Sequence, residues 1–264
     1  MLLEQFHPGG KDGPNGEVHF DTPGGQVWSE YVMVGDHTDP FQLLVPDIRM
    51  PANQLWPLHW HDTWTLVLVP EGQCIVGDWC MRPGDAFIAA PGLEYGPLLN
   101  GPHGCRLLEI FAKGHLADGG YAPEYADHPT LLGGAKVFKE RSSINRRNQG
   151  HQILRIDGVE GLGKSRLAAG REWNLGDSGD PERGLMRDTR LSPGEAIAAH
   201  SYADWHFMLV LDGSFHIHGR TVERDGYLLV RPGGTVDRIE VGAGGVHLLE
   251  LARTAAGMGR QPGP

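Results

Sequence analysis

Two pairs of ring-bearing side chains stand two residues apart in this sequence: His59 and His61 in PLHWHDTW, and His200 and Tyr202 in AAHSYADW. In an extended strand, residues i and i+2 point to one face, so each pair would present two donors to the same space. Imidazole nitrogens ligate divalent metals, and phenol hydroxyls ligate them less often or donate hydrogen bonds to bound oxyanions. A third feature is GVEGLGKS, Gly158 to Ser165, which satisfies the phosphate-binding pattern GxxxxGK[ST]. That pattern works only when a strand, a glycine-rich turn and a helix follow one another. Here Gly170 and Gly176 interrupt any helix soon after Ser165. An opening strand and its turn are therefore expected, and nucleotide binding at Gly158–Ser165 is kept as a remote alternative.

The elements that must position these residues are short. TWTLVLV (Thr63 to Val69), DAFIAA (Asp85 to Ala90), RLLEIF (Arg106 to Phe111), HFMLVL (His206 to Leu211) and YLLV (Tyr227 to Val230) are apolar runs bounded by Gly, Pro or Asp. With 39 Gly and 19 Pro and no G-X-Y period, the chain reads as many strands joined by tight turns, an all-β sandwich or barrel.

Composition excludes several function classes. The formal net charge is −10 and the basic residues are scattered, apart from a small run from Lys136 to Arg147, so no nucleic-acid partner is expected. No stretch approaches the roughly 18 apolar residues of a membrane span, and MLLEQFHPGG lacks a secretory leader, which makes a cytoplasmic location the expectation. Cys74, Cys80 and Cys105 are odd in number and confined to the first half, so they are read as reduced packing thiols.

An internal repeat organises the chain. The segment from Pro57 (PLHWHDTWTLVLVPEGQCIVGDWCMRPGDAFIAAPGLEYGP) matches the segment from Ala198 (AAHSYADWHFMLVLDGSFHIHGRTVERDGYLLVRPGGTVD). His59 aligns with His200, Gly72 with Gly213 and Gly84 with Gly226, and the closing strands are LLEI (Leu107 to Ile110) and LLEL (Leu248 to Leu251). Glu109 and Glu250 recur in those closing strands, which suggests a shared packing or hydrogen-bonding role, or orientation of a metal ligand.

The glycine and strand spacing of both copies resembles the cupins, whose motifs read GxxxxxHxHxxxExxxxxxG and GxxxxxPxGxxH. In the second copy Gly194, His200 and Gly213 match the first motif, with Tyr202 and His206 in place of its second His and its Glu. Gly226, Pro232 and Gly234 match the second motif, with Asp237 in place of its His. In the first copy His59, His61 and Gly72 match, Thr65 replaces the Glu, and Tyr95 replaces the last His. The resemblance implies two double-stranded, jelly-roll-like β-barrels in tandem: an arm over residues 1–39, a barrel over 40–112, a linker over 113–149, a barrel over 150–254 and a tail over 255–264.

It also implies that His200, His206 and Asp237 share one centre, a two-histidine, one-carboxylate set that suits Fe(II), with Mn, Ni or Zn as other divalent choices. Tyr202 would be the catalytic hydrogen-bond donor or a fourth ligand. His59, His61 and Tyr95 form a poorer donor set in the first barrel. His216 and His218 are expected to be exposed, and Trp56, Trp60, Trp64 and Trp205 to pack in the core or at an interface, which also permits a homodimer. The expected function is a metal-dependent, dioxygenase-like enzyme acting on a small organic molecule; the alternative is a non-catalytic small-molecule-binding or sensor protein.

Overall fold

The structure, a computed structural model, describes residues 3–7, 18–22, 25–35, 42–56, 61, 63–91, 93, 95–96, 98–112, 162–175, 184–254 and 257–259. Every regular element among them is a strand. The first half contributes β1 (Leu3–His7), β2 (Val18–Thr22), β3 (Gly25–Val34), β4 (Leu43–Met50), β5 (Leu55–Trp56), β6 (Thr65–Val76), β7 (Trp79–Met81), β8 (Asp85–Ala89) and β9 (Leu98–Phe111). The second contributes β10 (Leu162–Arg166), β11 (Glu172–Leu175), β12 (Gly184–Leu191), β13 (Ala196–Ile197), β14 (His200–Ser201), β15 (His206–Ile217), β16 (Arg220–Glu223), β17 (Tyr227–Val230), β18 (Thr235–Val236) and β19 (Ile239–Ala252). Among the described residues no helix is long and apolar enough to cross a membrane.

The apolar runs are continuous rather than alternating because both faces of the central strands are covered. On β6, Val67 and Val69 face one core with Phe87, Tyr95 and Leu107, while Leu66 and Leu68 face another with Leu108 and Ile110. On β15, Met208 and Val210 face a third core, whereas Phe207, Leu209 and Leu211 join Leu66 and Leu68. Each unit thus has its own interior, and a shared apolar layer joins the two. Each fully buried leucine in that layer contributes about 2–3 kcal/mol. Trp64 and Trp205 pack against the same layer, as packing aromatics should.

The two halves exchange strands. β1 pairs antiparallel with β17 of the second unit, and β10 pairs antiparallel with β8 of the first. Because β8 and β17 are corresponding strands, the exchange is reciprocal: each covers an edge that would otherwise leave backbone N–H and C=O groups unpaired. The sequence boundaries 40–112 and 150–254 follow the chain, but the sheets cross them.

This pairing overturns the phosphate-loop reading of Gly158–Ser165. Leu162 to Arg166 run as a strand in register with Ala89 to Asp85, so Gly163, Lys164 and Ser165 lie in a ladder and not at a helix N-terminus. Lys164 Nζ lies 5.2 Å above the Trp79 ring, and Ser165 Oγ accepts a hydrogen bond from Trp173 Nε1 at 2.6 Å. Residues 158–161 lie outside the described residues.

The repeat runs at one constant offset, that from Thr65 to His206. β6 meets β9 at Leu68↔Leu108 as β15 meets β19 at Leu209↔Leu249, and β4 meets β9 at Asp47↔Leu108 as β12 meets β19 at Asp188↔Leu249. Gly84 N donates to Val69 O and Asp225 N to Val210 O, so Gly84 corresponds to Asp225 and not to Gly226. The sequence alignment therefore slips by one residue after β7, and in a strand a one-residue slip exchanges the two faces.

Candidate functional site

The slip decides where Asp237 goes. β14 pairs with β18 at His200↔Val236, so Val236 faces His200 and is fully buried, while Asp237 is the next residue along. Its side chain is 64% exposed and its Oδ2 lies 2.9 Å from His218 Nδ1. The structure does not bring Asp237 to His200 and His206. By the same register Tyr95 corresponds to Val236, and both are fully buried.

His200, Tyr202 and His206 do come together. The Tyr202 ring stacks on His206 (centroids 4.1 Å, 16°) and meets His200 edge-on (4.4 Å, 62°). His206 is fully enclosed, and both ring nitrogens are engaged: Nδ1 donates to Gly257 O at 2.9 Å, and Nε2 lies 3.0 Å from Glu250 Oε2. Glu250 Oε1 accepts from Thr189 Oγ1. A carbonyl can only accept, so Nδ1 carries a proton and the Nε2–Glu250 contact shares a second one. With both nitrogens so occupied, His206 is a structural partner of Glu250. Tyr202 is a core residue, its hydroxyl 4.0 Å from Met208 Sδ.

His200 differs from its neighbours. Nδ1 donates to Ala198 O at 2.8 Å, which leaves the lone pair on Nε2, and that atom is buried with no hydrogen-bond partner. His216 and His218 are exposed; Thr221 Oγ1 lies 2.9 Å from His216 Nδ1.

The first unit inverts this pattern. Glu109 stands opposite Val67 as Glu250 stands opposite Met208. The positions that supply His206 and Thr189 to Glu250 hold Thr65 and Ile48 here, and Thr65 Oγ1 donates instead to Thr63 O at 3.2 Å. Glu109 is consequently buried at 2% exposure, with Oε2 lacking a hydrogen-bond partner, and burial pushes its carboxyl up to about 7. Burial and the charge of Glu109 hold the Tyr95 phenol well above its ordinary value. His61 packs edge-on against Phe111 (4.6 Å) and tilts against Tyr95 (5.9 Å); Phe111 and Glu109 share a face of β9. His61, Tyr95 and Glu109 thus converge on one interior, whereas His59 lies outside the described residues. The thiol of Cys74 is raised by a hydrogen bond with Cys105, by burial and by the charge of Glu109, and both cysteines are buried in packed surroundings.

No protein-family model matches the sequence, and no curated protein does. Solved structures do. A point variant of oxalate decarboxylase OxdC of Bacillus subtilis matches at a TM-score of 0.53 with 15% identity, over 90% of this chain and 75% of that one. Bacterial pirin YhhW from Escherichia coli, in complex with nickel(II), matches at 0.53 with 14% identity, over 90% and 95%. The formate complex of Lactobacillus farciminis oxalate decarboxylase matches at 0.52 with 12% identity, over 91% and 84%. The chain has a cupin fold, present twice.

The positions that the sequence resemblance makes metal ligands are filled differently in the two units. Among the described residues no group of three His, Cys, Asp or Glu side chains is poised to hold a metal. The second cupin unit does not fit a metal through His200, His206 and Asp237, because His206 is bonded at both nitrogens and Asp237 faces outward. The first unit fits better: its buried Glu109 oxygen lacks a partner in the interior that His61 and Tyr95 also enter. The recurrence of Glu109 and Glu250 in the sequence does not by itself tell the two glutamates apart. The available signal was the Thr65-for-His206 replacement, which strips one glutamate of its partner.

Proposed function

We propose that this cupin is a divalent-metal-dependent enzyme acting on a small organic molecule, with its centre in the first barrel and His59, His61 and Glu109 as the residues that would hold the ion. The observation that carries the proposal is the Glu109 carboxylate, buried with one oxygen lacking a partner where both Glu250 oxygens are bonded. A cation beside it would satisfy that oxygen and restore the charged form that burial disfavours. Two imidazoles and a carboxylate suit Fe(II), and such an ion supplies Lewis-acid and oxygen-dependent chemistry, consistent with a dioxygenase-like reaction. Support for a divalent ion of some kind comes from nickel(II) in YhhW and the Mn(II) centers of OxdC. Tyr95, kept protonated by its surroundings, would donate a hydrogen bond to an oxyanion in the same interior. The second barrel would be the structural copy, its His206 and Glu250 engaged with each other.

The test is metal content per chain in protein purified without chelator, compared with Glu109→Gln, His61→Ala and His200→Ala. One ion per chain, lost in the first two variants and kept in the third, supports the reading and justifies an oxygen-uptake screen with small diketones, catechols and hydroxy-ketones. Loss in His200→Ala alone would return the centre to the second barrel. No metal in any sample, even after anaerobic Fe(II) reconstitution, would favour the non-catalytic small-molecule-binding alternative.

A further inference from the structure

The interface between the barrels carries two related charged networks, and only one of them is complete. On one side Arg106, 2% exposed, donates to both Asp47 oxygens (2.8 and 2.6 Å) and to Asp225 Oδ1, while Arg49 donates to Asp225 Oδ2 at 2.9 Å. Asp225 reaches this place from a tight turn of the second unit, where it adopts φ +70. On the other side Asp188, Arg190 and His247 take the places of Asp47, Arg49 and Arg106. Arg190 Nη2 lies 3.2 Å from Asp188 Oδ2, and His247 Nε2 lies 3.0 Å from Asp188 Oδ1. Burial opposes the Asp188 charge, but bonds from His247 and Arg190 outweigh it and hold its carboxyl below the ordinary value.

The counterpart of Asp225 on this side is Gly84, which has no carboxylate to offer. A cleft of about 510 Å³ opens there, lined by Gly84, Arg166, Arg190, Arg224 and His247, with Asp212 as its one acid. Each of the three guanidiniums is ion-paired: Arg166 with Asp85, Arg190 with Asp188 and Arg224 with Glu71. None of those carboxylates lines the cleft. Its wall thus presents three ion-paired guanidiniums, with space where the related network places a carboxylate.

The geometry points to an anion site in this cleft, in which a carboxylate or phosphate group of a small ligand takes the place that Asp225 fills at the related position. The site draws on both barrels and lies between them, so it is separate from the interior that holds Glu109. Fixed guanidiniums bind such oxyanions through paired, charge-assisted N–H donors. Salt should weaken the binding, because the cleft is partly open to solvent.

The test is calorimetric titration of the full chain at low salt with inorganic phosphate and, separately, succinate. One saturable site per chain for either probe is expected, and the better probe identifies the oxyanion. Arg190→Gln should weaken it about tenfold, the loss of one charge-assisted contact. Gly84→Asp should abolish it by supplying the carboxylate in the chain itself. An added Cβ at Gly84 would meet Arg166 Nη2 only at 3.8 Å, and an aspartate already holds the related turn at positive φ. Should Gly84→Asp not fold, Pro83→Glu, at an exposed cleft residue, places a negative charge at the same wall and should also abolish binding. Saturable binding that survives these charge insertions, or no saturable binding of either probe at millimolar concentration, would overturn the proposal.

Discussion

Glu250 Oε2 stands 3.0 Å from His206 Nε2, and neither side chain has exposed surface. A buried pair of this kind contributes little net stability against an apolar replacement, yet breaking it from one side leaves an uncompensated polar group. His206→Ala would strip Glu250 of a buried partner and remove the ring on which Tyr202 stacks. The expected loss is about 3–5 kcal/mol, read as a lower midpoint in urea denaturation.

Glu109 lacks that pairing, and its stability effect has the opposite pH sense from a salt-bridged carboxylate. Its carboxyl is raised from 4.5 to about 7 by burial, so the folded state holds the proton more tightly than the unfolded state. The stabilisation is fully present below the unfolded value and is lost as pH rises through about 7. For metal-free protein the share of this group is on the order of 3 kcal/mol. Glu30, raised to about 7 by burial and by Asp47, adds a slope of the same sign. The measurement is therefore the difference between wild type and Glu109→Gln in chelator, from pH 4.5 to above 7. The variant should lose less stability over that range, and a divalent cation should flatten the wild-type curve without affecting the variant.

Much of the fold was legible in the sequence because glycines and apolar runs recur at one offset, and steric need fixes both. Gly72 and Gly213, which the repeat pairs, do occupy corresponding irregularities within β6 and β15, at φ +74 and +75. Legibility failed where the pattern depended on facing rather than spacing. Aligning Gly84 with Gly226 put Asp237 in line with Tyr95, whereas the backbone bonds of Gly84 and Asp225 place Val236 there and turn Asp237 outward. A glycine is a natural anchor for alignment, but here an aspartate tolerates the left-handed turn that its counterpart enters as glycine. The strand exchange was equally hidden, because pairing partners distant in sequence leave no local signal.

Asp225 ties the barrels through Arg106 and Arg49. Burial opposes the charge on Arg106, but Asp47 and Asp225 outweigh it and hold the guanidinium firmly protonated. Asp225→Asn keeps a residue that accepts positive φ and removes only the charge, so it isolates the ionic contribution from backbone strain. A loss of about 1–3 kcal/mol is expected in denaturant unfolding, shrinking in high salt less than an exposed pair would.

The reciprocal exchange predicts that damage to one terminus is felt in the other unit. Deleting residues 1–7 removes β1, whose register runs from Leu3↔Val230 to His7↔Tyr227. Hydrogen exchange should then accelerate at those amides of Tyr227–Val230 that point toward β1, while Asp85–Ala89, covered by β10, stays protected. Equal acceleration in β8 and β17 would indicate general destabilisation instead.

Two glycines separate backbone strain from crowding. Gly194 and Gly213 both have left-handed φ, +84 and +75. An added Cβ at Gly194 would meet nothing within 4 Å, whereas at Gly213 it would lie 2.1 Å from Gly245 O, a backbone atom held between β15 and β19. Gly194→Ala should therefore cost only the left-handed penalty, about 1–2 kcal/mol. Gly213→Ala must add to that the displacement of a strand, because the obstructing atom is not a side chain that can swing away. A drop in thermal midpoint at least twice as large for Gly213→Ala is expected. Equal drops would mean that the close approach at Gly245 relaxes at no cost, and that φ alone selects glycine at the strand irregularity the two barrels share.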